Sequence, residues 1–208
     1  MIAALLLAAA VPTAVDAEYA FARDAQRIGQ WSAFRKYADP DAVVLVPQAV
    51  WARDFLRDKK DPPKSVAWHP TGSWVSCDGR TAVNTGPAFR ESKAYGNFTT
   101  VWQREKGTWR WVYDAGSPLR AEDATRRRVK VRRASCRVRA PGAPVIPPPP
   151  LSARQARTTP EDSGRGESAD KTLGWDWKVE KDGAHRFRVY QWNGRRYEQV
   201  LTNNVPAE

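Results

Sequence analysis

The sequence predicts an α+β fold in which helices come first and an antiparallel sheet follows. Three observations carry this. Before residue 40 the apolar residues recur at three- and four-residue spacing, the period of an amphipathic helix. From about residue 65 the period changes to two, as in half-buried strands. The alternating runs are punctuated by Asp78-Gly79, Lys106-Gly107, Asp182-Gly183 and Asn193-Gly194, where glycine supplies the positive φ of tight hairpins. Strands joined by hairpins build a meander, not the alternating units of a parallel sheet.

Residues 18–38 read as one helix, with Phe21, Ala25, Ile28, Trp31 and Phe34 along one face and Asp39-Pro40 as its stop. The run "AVVLVP" (42–47) is a short buried strand. "WARDFLRD" (51–58) forms a second helix with Trp51, Phe55 and Leu56 on one side, and "KKDPPK" is a loop. Then "SVAWHP", "GSWVSC", "RTAVNTG", "YGNFTTVWQRE" and "TWRWVYDAG" follow as strands. In the last of these, alternation places Trp109, Trp111 and Tyr113 on one face and Arg110, Val112 and Asp114 on the other.

Residues 141–171 read as a linker: "PGAPVIPPPP" is an extended spacer, and the polar stretch after it lacks the apolar residues to fold. Residues 172–208 are a compact unit of three strands, 172–181, 184–192 and 195–201. Two-residue turns would set Trp192 opposite Arg195, Tyr190 opposite Tyr197 and Trp175 opposite Tyr190. That gathers Trp175, Trp177, Tyr190, Trp192 and Tyr197 on one face, with Arg188 over Trp177. A sheet so small needs a surface to cover its apolar face, and the preceding domain is the nearest.

At the other end, "MIAALLLAAAVPTAVDA" is apolar and rich in alanine, with small residues at Val15 and Ala17. It reads as a secretory signal over residues 1–17, too short to span a bilayer as a helix. Export makes Cys77 and Cys136 a disulfide candidate. Two cysteines and two histidines, His69 and His185, lack any ligand spacing, so no metal is expected. The chain carries 34 Lys and Arg against 23 Asp and Glu. The excess is concentrated in "RAEDATRRRVKVRRASCRVR" (120–139). This strip, through Arg126, Arg127, Arg128, Lys130, Arg132 and Arg133, is either a candidate contact for an anionic surface or a charged, solvated strand edge.

Residues 18–116, from the first helix through "YADPDAVVLVP" to "TVWQREKGTWRWVYDAG", resemble the nuclear transport factor two-like superfamily, also called SnoaL-like, and the domain they belong to is expected to span 18–140. The resemblance implies a bent antiparallel sheet wrapped by helices into a cone. Some members are isomerases or cyclases; others only bind ligands or partners, so the fold leaves function open. In the isomerases the general base lies just before the proline of the "DPDAVVLVP" passage. Here that place holds Val46, which accepts no proton. The isomerases' oxyanion tyrosine matches a place near Ala22, and Tyr19 lies almost a turn earlier.

The remaining acid–base candidates are Asp114, at the end of a strand, and His69, in "WHPTG". Val46, Trp102, Trp111 and Tyr113 are the candidate ligand contacts. No G-x-S-x-G elbow, P-loop or dinucleotide fingerprint occurs, and no cofactor or nucleic acid is expected. Three functions stay open: an exported, non-enzymatic cone binding a small apolar ligand or a protein; a cyclase- or isomerase-like enzyme using Asp114 or His69; and an anionic-surface binder. Monomer and dimer both remain open.

Overall fold

The computed structural model describes residues 11–91, 93–119, 128–142 and 162–207. Its helices are α1 (Ala14–Ile28), α2 (Gln30–Tyr37) and α3 (Ala52–Leu56). Around and after them come β1 (Ala38–Leu45), β2 (Ala49–Trp51), β3 (Ala67–Trp68), β4 (Gly72–Val75), β5 (Thr81–Arg90), β6 (Lys93–Glu105) and β7 (Thr108–Ser117). The last strands are β8 (Lys130–Arg133), β9 (Ser163–Glu167), β10 (Leu173–Val179), β11 (His185–Trp192) and β12 (Tyr197–Val205). The class is the expected α+β.

Helix α1 begins four residues before the position anticipated from the sequence. A capping box fixes its start: the Asp16 amide donates to Thr13 Oγ1 at 3.2 Å, and the Thr13 amide donates back to Asp16 Oδ2 at 2.8 Å. Ala14 and Ala17 are buried with Phe21 and Ala25. The boundary expected after Ala17 therefore falls inside a helix whose first turn is part of the core. The single helix expected over 18–38 is two helices. Gly29 breaks it at φ 103°, and a Cβ there would meet the Asp61 carboxyl 2.2 Å away. Asp61 caps α2 in turn, accepting the Ser32 amide at 3.0 Å.

Strands β2-β1-β7-β6-β5-β4-β8 form one curved sheet, with β3 pairing β5. It is mixed: β1 runs parallel to β7 and β4 parallel to β8, while the other pairs are antiparallel. Helices cover one face through Phe21, Ala25, Ala33, Trp102, Trp109 and Trp111.

The other face meets a second antiparallel sheet, in order β12-β11-β10-β9. Leu173, Trp175, Trp177, Phe187, Val189 and Leu201 share one core with Val43, Val83, Val101 and Tyr113. This sheet has four strands where three were expected, because Ser163–Glu167, assigned to the linker from its composition, is its edge strand. Gly164 and Gly166 explain why so polar a stretch pairs. They oppose Trp177 and Trp175, whose indoles lie where Cβ atoms would be, at 2.5 and 2.3 Å.

The register also differs from the one anticipated. The Asn193 amide donates to Arg196 O, so the turn holds more than two residues and Trp192 pairs with Tyr197. At the other hairpin Trp175 pairs with Val189 and Trp177 with Phe187. One residue of slip moves a whole set of side chains to the opposite face. Phe187 and Val189 therefore join the two tryptophans in the core. Arg188 points away from it, forming a two-point ion pair with Asp176 at 2.8 Å and lying over Tyr190.

Cys77 and Cys136 are bonded, with Cα atoms 5.3 Å apart, and tie the ends of the parallel neighbours β4 and β8. Lys130, Arg132 and Arg133 are exposed on this edge strand, Arg132 paired with Glu198 at 2.5 Å, and Arg128 is exposed just before it. Arg126 and Arg127 lie outside the described residues.

Candidate functional site

The site forms where β6 and β7 turn an interior face toward the helices. Strict alternation would set Asp114 opposite Trp109 and Trp111. The structure instead inserts a bulge: Trp102 pairs with Trp111 and Val101 with Tyr113, leaving Val112 as the extra residue. Beyond the bulge the faces exchange. Tyr113 and Ala115 turn to the second sheet, and Asp114 joins the helix-side face of Trp102. There it pairs with Thr100, whose hydroxyl donates to Asp114 Oδ2 at 2.8 Å.

Behind Asp114 stands Glu18, fully buried in α1. Its carboxylate accepts three N–H donors. Trp68 Nε1 donates at 2.8 Å, Trp102 Nε1 at 2.6 Å and Asn84 Nδ2 at 3.2 Å. Burial raises its pKa from 4.5 to about 7, against the pull of those donors. Asp114 is raised to about 7 as well, chiefly by burial; the Thr100 hydrogen bond opposes the rise and the Glu18 charge adds to it. Two interacting carboxyls thus exchange protons near neutrality.

Asp114 lines a cavity of about 790 Å³ whose wall includes Phe34, Val46, Trp68 and Phe98. Val46 stands on its edge, since Val44 of β1 pairs with Asp114 of β7 and the chain runs on into the wall. The second sheet closes one side with His185, Val205 and Pro206. The His185 ring sits at the rim between two carbonyl oxygens, 3.3 Å from Gly116 O and 3.2 Å from Gly183 O.

Of the candidates named from sequence, Val46 and Asp114 line this cavity. Trp102 and Trp111 are fully buried against the helices, at ring distances of 6.0 Å from Phe21 and 5.9 Å from Phe34. Tyr113 is buried between the sheets, stacked on Phe187 at 4.7 Å. His69 stacks on Phe89, away from Asp114's wall. Sequence reasoning missed Glu18 because the expected leader boundary made it a chain terminus. The signal was present, for Glu18 is a charge on the apolar stripe of Ala14, Ala17, Phe21 and Ala25. The acidic side chain that lines the cavity comes from β7, not from the place that Val46 occupies.

No family model and no curated protein matches the sequence. Two solved structures are similar over about half of it. One is the CamKII hub homology domain of Chlamydamonas reinhardtii, at 18% identity and TM-score 0.37, covering 52% of this chain and 100% of that one. The other is a proposed aromatic ring hydroxylase from Novosphingobium aromaticivorans, at 15% identity and TM-score 0.35, covering 49% of this chain and 83% of that one. These partial likenesses transfer no functional residue to this chain.

Proposed function

We propose that this chain is an exported, non-enzymatic domain that binds a small, largely apolar molecule inside the cone, with Asp114 as its polar anchor. The observation that carries the reading is the cavity of about 790 Å³, walled by aromatic and aliphatic side chains, with Asp114 as the one acid among its described lining residues. Sites for small molecules are typically about 300–1,000 Å³, mostly apolar, with few polar groups that fix orientation. Export is supported by the apolar run at Met1–Val11 and by the Cys77–Cys136 bond, which an oxidising compartment preserves.

A neutral fluorophore such as N-phenyl-1-naphthylamine tests the binding reading. Saturable binding to the wild type and its loss in Val46→Trp are expected. Val46 is 40% exposed at the wall, so a tryptophan there intrudes on the cavity without disturbing the core. Equal binding by both proteins, or none by either, overturns the reading.

One observation favours a second reading. A cavity-lining carboxyl with a pKa of about 7 suits proton abstraction near neutrality. An enzyme of this kind would speed the exchange of the α-protons of 2-tetralone for deuterium, and Asp114→Asn would abolish the gain. Equal exchange rates with the two proteins eliminate it.

A further inference from the structure

We infer that the molecule held in the cone carries a cationic amine, seated on Asp114, on an apolar or aromatic body. This rests on the binding reading above and names the head group of its ligand.

Asp114 has one hydrogen-bond donor, the Thr100 hydroxyl on Oδ2. Its other oxygen has no protein partner among the described residues, so the carboxylate has acceptor capacity left for an occupant of the cavity. Glu18 does not compete for that occupant, because two indoles and an amide already engage both its oxygens. It adds a second acidic group behind the first.

The chain has 34 Lys and Arg, yet none is among the described residues lining the cavity. The only other titratable groups there are Tyr95, which is largely exposed, and His185, which is held at the rim by backbone carbonyls. An anionic head group would meet the Asp114 carboxyl, with Glu18 behind it, and no Lys or Arg among the described lining residues. Above about pH 7, where Asp114 is ionised, a neutral head group would leave it without a counter-charge in a poorly solvated place, which is costly. An ammonium answers both conditions. The walls suit it as well: Phe34, Trp68 and Phe98 present rings to the cavity, and cations are attracted to ring faces. The net positive charge of the chain opposes a cation only at long range, where salt screens it.

The test uses three probes with one body and different heads: 4-phenylbutylamine, 4-phenylbutanol and 4-phenylbutyrate. Their affinities for the full chain are measured by calorimetry at about pH 8. The amine should bind roughly tenfold or more tighter than the alcohol, the scale of a charge-assisted hydrogen bond, and the acid weakest of the three. Asp114→Asn should erase the gap between amine and alcohol. The wild-type ranking stands as a test even where that variant does not fold. Equal binding of amine and alcohol by the wild type overturns the head-group inference and leaves the cavity reading intact. Tighter binding of the acid overturns it as well. No binding of any probe overturns both.

Discussion

Glu18 makes stability depend on pH in an unusual direction, and replacing it with glutamine removes the effect. In the unfolded chain the carboxyl titrates near 4.5, and in the fold near 7. Between those values the folded state holds a proton that the unfolded state has released, so stability falls as pH rises. The contribution is full below about 4.5 and is lost as pH passes through about 7. A shift of that size corresponds to about 3 kcal/mol. Glutamine cannot titrate, but it offers one acceptor oxygen where Trp68, Trp102 and Asn84 need two. One donor is left facing an amide nitrogen, at a cost of about 1–3 kcal/mol at every pH. Glu18→Gln should therefore be less stable than wild type at pH 5 and approach or cross it at pH 8. Asp114 contributes a slope of the same sign in both proteins, smaller in the variant because the Glu18 charge no longer raises it, so the difference between the curves reports Glu18 together with its coupling to Asp114. Urea unfolding at pH 5, 6, 7 and 8 gives the curves. Parallel curves for the two proteins would show that Glu18 keeps an ordinary pKa and would refute the reasoning.

Four further outcomes follow from named contacts. On the export proposed above, the mature chain should retain Pro12–Ala17, since Pro12 O accepts Trp109 Nε1 and Thr13 caps α1; intact mass of the mature protein reads this, and a chain starting at Glu18 contradicts it. Replacing both cysteines with serine should cost about 4 kcal/mol in denaturant unfolding, the chain-entropy value for a separation of 59 residues; an unchanged midpoint would mean that β8 needs no tether. Gly166→Val should destabilise by about 1–3 kcal/mol or more, because its Cβ would land on the Trp175 indole, and a melting temperature equal to wild type would show that the indole lies elsewhere. Tyr113→Phe should be neutral or stabilising by about 1 kcal/mol, since the buried hydroxyl has no hydrogen-bond partner among the described residues; a loss of that size would point to a partner for the hydroxyl.

Much of the framework was legible in the residues themselves. The change of period from helical to alternating set the class. Asp78-Gly79, Lys106-Gly107 and Asp182-Gly183 marked hairpins, and their glycines hold φ at 68°, 84° and 91°. Such features are local, since a backbone torsion or an apolar stripe is written within a few residues. The candidate site was legible only in part. Asp114 and Val46 could be named, but the side of the sheet that Asp114 faces depends on the bulge at Val112. That bulge answers to the fit of Trp102, Trp111 and Tyr113 against two different layers. The edge strand at Ser163–Glu167 exists because Trp175 and Trp177 need glycine beneath them, a condition set across the sheet. Glu18 is the clearest case. Its neighbours in sequence are those of a helix start, while its pKa is raised by burial in the fold and held back by Trp68, Asn84 and Trp102, donors 50, 66 and 84 residues away. Burial and charge coupling are sums over whatever the fold brings near, so the tertiary structure alone decided which carboxyls share the cone.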